Sequence, residues 1–87
     1  MVAFKLEIYT PYEKFFEGNV NSISLNTLSG SLQILPRHIQ TVVGIKPCIM
    51  KINTEDETLK VKVSEGILEF QKNNCKIFVS FAQKVED

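Results

Sequence analysis

Apolar and polar residues alternate one by one along much of this chain, which is the period of a β-strand with one buried face. The run from Phe4 to Tyr9 follows this pattern near the amino end, and the run from Leu59 to Ser64 follows it in the second half. We therefore expect each run to be a strand with one wet face. The side chains expected inside are those of Phe4, Leu6, Ile8, Leu59, Val61 and Val63.

Two further runs are predicted as strands, although each contains a residue that breaks the alternation. The run around Leu25 alternates, but Val20 is out of phase with it, which indicates a bulge or a strand start near Asn21. The run from Cys75 to Ala82 predicts a final strand with Phe78 on its polar face. Phe78 is then either covered by a loop or exposed to a partner.

Turn-forming residues separate these runs at short intervals. They are Thr10-Pro11, Glu17-Gly18-Asn19, Ser29-Gly30, Lys46-Pro47, Thr54 to Glu57, and Lys72 to Asn74. Many short strands with turns every ~8 to 12 residues predict an all-β fold, an antiparallel β-sandwich or barrel. No segment shows a helical period, and no linker or repeat interrupts the chain, so we expect a single domain over residues 1–87.

Length and charge limit the functions that such a domain can have. A chain of 87 residues holds one thin core and leaves little room for a large enclosed active site. Ten Lys and Arg balance ten Asp and Glu, which removes the positive field that draws proteins to nucleic acids or anionic lipids. We expect protein partners, no nucleic acid, and no metal or cofactor.

The cysteines and the amino end indicate an ordinary soluble protein. Cys48 and Cys75 lie far apart with no neighbouring Cys or second His, so we expect small buried hydrophobes rather than a zinc site or a disulfide framework. The amino end lacks a basic segment followed by an apolar stretch, and no run approaches the ~18 apolar residues of a membrane span. The chain is predicted to be soluble and cytoplasmic, with no direct membrane insertion.

Side chains for catalysis or metal binding are scarce. His38 is the single histidine, and in its Pro-x-His turn we expect it to be exposed or interfacial rather than catalytic. No phosphate-binding loop with the pattern Gly-x-x-x-x-Gly-Lys-Ser/Thr is present. The acidic run Glu55-Asp56-Glu57 lacks the alternating ligands and the glycine of a calcium loop, so we expect a solvated hairpin turn there. No catalytic residue is predicted.

One lysine suggests a rival function. Met50-Lys51-Ile52 is similar to the Met-Lys-Met hairpin tip in which biotinyl carrier domains present a modified lysine. Lys51 here lies within the alternating run from Cys48 to Asn53, so an outward-facing strand lysine is the simpler interpretation. A carrier domain modified at Lys51 stays as one alternative, and a small β-sandwich adaptor with an unknown partner stays as another.

Two segments taken together resemble a known family. Gly30 to His38 contains the pattern Gly-x-Leu-x-Ile-x-Pro-x-His, and Ser64 to Glu69 reads Ser-Glu-Gly-Ile-Leu-Glu. At this spacing the chain resembles the amino-terminal β-sandwich domain of the epsilon subunit of F-type ATP synthases, from about Phe4 to Val85. The resemblance implies a sandwich of two antiparallel sheets with about ten short strands.

The resemblance also implies a function. In that family the domain is part of the rotating central stalk, where it holds the gamma subunit, rests on the membrane c-ring and carries no catalytic residue. We therefore expect a non-catalytic rotor subunit that couples gamma to the c-ring in ATP synthesis driven by protons or sodium ions. Such a subunit is peripheral to the cytoplasmic face of the bacterial inner membrane.

The contact positions of that family can be carried over residue by residue. Those that resemble the gamma-facing edge are Thr10, Arg37, His38 and Val43. Those that resemble the tip on the c-ring are Leu28, Ser29, Gly30 and Ser31. We expect Thr10 to lie beside the Arg37-His38 turn, and we expect the side chains of Arg37 and His38 to be exposed.

This chain departs from the family pattern at some of these places. Ser31 stands where the family often has a carboxylate, which leaves the contact with a c-ring arginine without its charge. Arg37 stands where the family often has glycine. Longer members continue into two helices that can bind nucleotide, whereas this sequence ends at Asp87. It is either a naturally short member or a piece of a longer chain, and no nucleotide binding is expected without those helices.

Overall fold

Ten β-strands follow one another along the chain in the computed structural model, which describes residues 3–86. They are β1 (Phe4–Tyr9), β2 (Lys14–Val20), β3 (Ser22–Thr27), β4 (Gly30–Ile34), β5 (Thr41–Ile45), β6 (Cys48–Asn53), β7 (Thr58–Val63), β8 (Gly66–Gln71), β9 (Asn74–Val79) and β10 (Ala82–Val85). No helix occurs among the described residues, so the predicted all-β class is confirmed.

The strands form two layers of a sandwich. The β3 layer has the order β10-β7-β6-β3-β4, and the β8 layer has the order β5-β8-β9-β1-β2. A single paired position, Thr27 opposite Ile45, joins the two layers into one continuous ladder. All neighbours are antiparallel except β1 and β9, which run parallel. The predicted sandwich is confirmed, and its parallel pair is possible because no short hairpin links these two strands.

The core lies between the layers and matches the alternation of the sequence. Its buried apolar side chains come from nine strands and are those of Phe4, Leu6, Ile8, Val20, Ile23, Leu25, Ile34, Ile45, Met50, Ile52, Val61, Val63, Leu68, Phe70, Cys75, Ile77 and Val79. Five of the six side chains expected inside are therefore fully buried. Leu59 is only half-buried, because it lines an open seam between the edges of β2 and β10.

The predicted final strand is wrong in its extent. The run from Cys75 to Ala82 is interrupted at Ser80, and β9 ends at Val79. The Ser64 hydroxyl accepts hydrogen bonds from the backbone N–H groups of Ser80 and Phe81, at 2.9 and 3.2 Å, and this contact turns the chain. Phe81 consequently points out of the core. The break expected near Asn21 is confirmed, because β2 ends before it and β3 begins after it.

The sandwich has two ends that carry different turns. One end, which we call the tip end, holds the β3–β4 turn, the β7–β8 turn and the chain after Tyr9. The strand pairing places these segments at the same end, through the pairs Thr27–Ile45, Gly66–Val79 and Tyr9–Phe78. The opposite end, which we call the Arg37 end, holds the β4–β5 turn and the β8–β9 turn. The two ends are about 20 Å apart, from the ~3.3 Å rise per residue of a six-residue strand.

The two cysteines differ in exposure, and both are free thiols. Cys75 is fully buried, and this burial raises the pKa of its thiol to about 12. Cys48 is only half-buried. The expectation of a buried hydrophobe is thus confirmed for Cys75 but not fully for Cys48.

We expect an aromatic disulfide reagent to label Cys48 quickly in the folded protein at about pH 8 and to leave Cys75 unlabelled, because the nucleophile is the thiolate. Both thiols should react after denaturation. Raising the pH to about 9 should not label Cys75, since its raised pKa keeps the thiol protonated. Mass spectrometry after a short exposure checks this, and rapid double labelling of the folded chain would contradict it.

Candidate interaction surfaces

The β3–β4 turn is a tight hairpin tip formed by Leu28, Ser29 and Gly30. The Thr27 hydroxyl donates to the Gly30 carbonyl at 2.7 Å and accepts from the Ser29 N–H at 3.1 Å. Gly30 has a φ of 111°, a conformation that residues with a Cβ rarely adopt. The expected turn is confirmed, and it holds Leu28 with 71% of its surface exposed.

Leu28 fastens this tip to β5 in the other layer. The Leu28 N–H donates to the Gly44 carbonyl at 2.9 Å. A Cβ added at Gly44 would lie 2.7 Å from Leu28 Cδ1, so a larger residue at position 44 would make the exposed end of the Leu28 side chain shift. The tip is therefore held in place from both layers.

Ser31 lies exposed on the strand just after the tip. Its hydroxyl donates to Asn26 Oδ1 at 3.4 Å, which is a long hydrogen bond. This weak contact leaves the hydroxyl able to turn toward another acceptor. Ser31 thus supplies a neutral polar group to the tip and no charge.

The β4–β5 turn places Arg37 in an unusual backbone conformation. Arg37 is exposed and has a φ of 65°, in the left-handed region that favours glycine. Glycine would adopt this conformation at lower cost than arginine. The Arg37 N–H donates to Asn73 Oδ1 at 2.8 Å, which connects the turn to the β8–β9 turn.

His38 is half-buried, so the expectation that its side chain is exposed is wrong. Its Nδ1 lies 2.9 Å from the Ile39 carbonyl oxygen, to which it donates as the protonated nitrogen. The ring also meets the core side chain Phe70 edge-on at a centroid distance of 5.7 Å. The imidazole therefore closes the Arg37 end of the core and offers only part of its surface to a partner.

Thr10 does not lie beside the Arg37-His38 turn, and that expectation is wrong. Thr10 follows β1 at the tip end, where it lines a shallow cavity of about 380 Å³ with Gly66 and Phe78. The Arg37 turn is tied through Asn73 to Ala3, which precedes the other end of β1. The parallel pairing of β1 with β9 fixes this separation.

The β8 layer presents apolar side chains on its solvent side, which we call the outer face. Its members are Tyr9, Val42, Ile67 and Phe78. Ile67 is 52% exposed and Phe78 is 46% exposed. Tyr9 stacks on Phe78 with ring centroids 5.4 Å apart and planes 13° apart, so Phe78 is partly covered by a strand neighbour and still reaches solvent.

Val43 points the other way and packs against the core. Successive side chains of a strand point to opposite faces, so Val42, and not Val43, lies on the outer face, where it is exposed. The assignment of Val43 to the gamma-facing edge came from the family resemblance, and two consecutive valines give no alternation that could have tested it. A partner on the outer face would contact Val42.

Charged side chains border the outer face and neutralise one another. Lys5 and Lys14 each contact Glu17, at 3.0 Å in both cases, and Glu7 lies 3.7 and 3.9 Å from the same two lysines. Hydrogen bonds from Lys14 and Lys5 lower the pKa of Glu17 from its ordinary value. Two lysines and two glutamates sum to zero, so this border adds polarity without net charge.

Lys51 and the acidic run behave as the simpler interpretations predicted. Lys51 is exposed in the middle of β6, opposite Ser24 on one side and Lys60 on the other, and not at a hairpin tip. The acidic run forms the exposed β6–β7 turn, in which the Thr54 hydroxyl accepts from the Glu57 N–H at 3.0 Å. Within residues 3–86, no group of three His, Cys, Asp or Glu side chains could hold a metal ion.

Sequence reasoning missed Ile67 as a surface residue, although it noted the odd position of Phe78. The signal was present, because Ile67 and Leu68 are adjacent and cannot both face the core of a regular strand. In the structure Leu68 takes the buried position.

None of the described segments is a helix long and apolar enough to cross a membrane.

A family comparison matches nearly the whole chain. The family described as the ATP synthase delta/epsilon chain β-sandwich domain matches residues 3–85. The ATP synthase epsilon chain of Ruminococcus albus is 34% identical over 87 residues, which are 100% of this chain and 65% of that protein. The epsilon chain of Pelotomaculum thermopropionicum is 31% identical over 83 residues, which are 95% of this chain and 62% of that protein. The chain thus spans less than two thirds of these relatives.

Solved structures share the fold at lower identity. A chain of the Euglena gracilis mitochondrial ATP synthase, solved with its OSCP, F1 and c-ring, aligns with a TM-score of 0.90 at 20% identity. The alignment covers 97% of this chain and 54% of that one. A chain of the Tetrahymena thermophila mitochondrial central stalk and c-ring aligns with a TM-score of 0.79 at 19% identity, over 91% of this chain and 64% of that one.

Proposed function

The chain belongs to the β-sandwich family of the ATP synthase delta/epsilon chain, and on this premise we propose that it works as a central-stalk component that joins the gamma subunit to the membrane c-ring. The family match over residues 3–85 carries this proposal. In this role the chain transmits force between two partners and performs no chemical step. It would lie peripheral to the cytoplasmic face of a bacterial inner membrane and take part in ion-driven ATP synthesis.

The outer face is the surface that we assign to gamma. It has an apolar patch toward the tip end, formed by Tyr9, Ile67 and Phe78, with the paired charges of β1 and β2 beside it. An apolar patch bordered by polar groups is the usual arrangement of a protein interface. A standard interface covers about 800 Å² per partner. A patch of that size spans the ~20 Å between the ends of β1, so one partner could contact both Thr10 and Arg37 across the outer face.

The hairpin tip is the surface that we assign to the c-ring. Leu28 projects there, and Gly30 and Ser31 bring backbone and hydroxyl groups within reach of a partner. Contact through these groups needs no carboxylate, since neutral hydrogen bonds replace a charge-assisted one at lower energy. The bonds from Thr27 and to Gly44 hold the tip rigid enough to pass force to the sandwich.

Replacing Ile67 by lysine should weaken binding to the matching gamma subunit by about 30-fold, because a buried apolar residue at an interface centre is often worth about 2 kcal/mol or more. Ile49→Lys is the matched control. Ile49 is 54% exposed against 52% for Ile67, but it lies on β6 in the other layer. Calorimetry with purified gamma measures both affinities.

Circular dichroism should show that both variants stay folded, since each changes an exposed side chain. Equal affinity of Ile67→Lys and the unchanged chain would remove gamma from the outer face. A loss in Ile49→Lys alone would place gamma on the β3 layer instead. A comparable loss in both would show that lysine disturbs the fold or the binding without regard to the face.

A further inference from the structure

We propose that Asn73 is a positioning residue that holds the Arg37 turn in the shape that a partner meets. The proposal rests on the assignment of gamma to the outer face, which ends at this turn. Asn73 itself makes no contact with the partner in this scheme. It acts through the backbone of Arg37.

The Asn73 side chain connects three segments that are distant in sequence. Its Oδ1 accepts from the Arg37 N–H at 2.8 Å, across 36 residues. Its Nδ2 donates to the Ala3 carbonyl at 2.8 Å, across 70 residues. The Asn73 carbonyl also accepts from the Lys5 N–H at 3.3 Å. One amide therefore joins the β4–β5 turn, the β8–β9 turn and the start of β1.

The bond to Asn73 adds support to the strained backbone at Arg37. Arg37 has a φ of 65° and Asn73 a φ of 57°. Asparagine tolerates the left-handed region well, whereas arginine does so at a cost. The His38 N–H donates to the Leu35 carbonyl at 3.1 Å and closes the turn. Without the further bond to Asn73, only that bond would oppose a rotation of Arg37 toward negative φ, which would redirect the guanidinium and move His38. The asparagine thus sets the direction of the side chains at this end.

A turn that is already in its bound shape loses less entropy on binding than one that must be ordered first. The Asn73 amide is exposed, so water competes for its bonds and the effect should be moderate. A net hydrogen bond contributes about 2- to 12-fold in an equilibrium constant. We expect a change within this range.

Three substitutions in the β8–β9 turn show whether the side-chain amide of Asn73, and not the turn backbone alone, holds the Arg37 turn. Asn73→Gly keeps the left-handed backbone and deletes the amide. Asn73→Asp keeps an acceptor for the Arg37 N–H but cannot donate to Ala3. Lys72→Gly is the matched control, because Lys72 shares the turn and has a φ of 50°, while the Asn73 amide stays in place.

Amide hydrogen exchange of the isolated chain is the first measurement. The Arg37 N–H should exchange about 5-fold faster in Asn73→Gly and nearly normally in Asn73→Asp and in Lys72→Gly. Calorimetry with gamma is the second, and Asn73→Gly should bind about 5-fold more weakly, with Asn73→Asp restoring most of the affinity.

Unchanged exchange at Arg37 in Asn73→Gly would overturn the proposal, and so would faster exchange with unchanged gamma affinity. Exchange is measured without any partner, so it does not depend on the assignment of gamma. If Ile67→Lys binds gamma normally while Asn73→Gly loses affinity, the outer-face assignment fails and the role of Asn73 in holding the turn stands.

Discussion

Val61→Asp is expected to unfold this domain at ordinary temperatures. Val61 is 2% exposed and pairs across the ladder with the fully buried Met50. Among residues 3–86 no cationic side chain belongs to the buried core. Lys84 lies opposite Val61 on β10 but is exposed, so the new carboxylate would be buried without a cation or would have to turn out of the core toward Lys84. Burial of such a group costs at least several kcal/mol. A domain of this size has a total stability of about 4 to 13 kcal/mol.

Lys62→Gln is the matched control for this experiment. It changes the net charge by the same amount and lies next to Val61 in β7, but its side chain is exposed. Thermal melts followed by circular dichroism should show a folded control and a largely unfolded Val61→Asp variant. A Val61→Asp variant that melts within a degree or two of the unchanged chain would mean that β7 buries its other face.

Local patterns were sufficient to predict several strands and turns but not all of them, since Glu17-Gly18-Asn19, expected to be a turn, lies within β2. The alternation at Phe4, Leu6 and Ile8 carries its own phase, because the intervening residues are more polar. Ser29-Gly30 predicts its turn because one of the two residues tolerates a positive φ. Such features depend on neighbours in sequence, and a sequence states them directly.

The relative placement of the surface residues could not be predicted in this way. Thr10 lies at the tip end because β1 pairs in parallel with β9, and alternation contains no information about which strands become neighbours. Val42 and Val43 are chemically equal, so only the pairing with β8 decides which one faces out. The resemblance to a family supplied the right fold and a set of contact residues, but it placed two ends of one layer side by side.

The positions of the hairpin tip and the outer face determine how force could pass through the domain. The hairpin tip is fixed to β5 by Leu28 and Gly44, and β5 pairs along its length with β8, which carries Ile67. Tip and outer face are therefore connected by two adjacent strands and one backbone hydrogen bond. A close-packed β-structure of this kind deforms little under load, which suits a domain proposed to hold one partner while it rests on another.

Gly66→Ala is expected to be the most damaging of the Gly→Ala changes in this chain. Gly66 begins β8 and pairs with Val79 of β9. A Cβ at residue 66 would overlap the backbone carbonyl oxygen of Phe78 and lie 2.7 Å from Val79 Cγ1. A backbone oxygen cannot rotate away as the end of a side chain can, so β8 and β9 would have to separate at this point.

Overpacking of this kind costs about 3 kcal/mol when backbone atoms must move, which lowers the melting temperature by about 15 °C in a domain of this size. Gly18→Ala is the matched control, because a Cβ there would meet only the Phe16 ring at an ordinary 3.5 Å. We expect the control to change stability by less than about 1 kcal/mol. Differential scanning calorimetry measures the melting temperatures of both variants. If Gly66→Ala melts as Gly18→Ala does, residue 66 has room for a methyl group, and the close approach of β8 to β9 at Phe78 is not required for the fold.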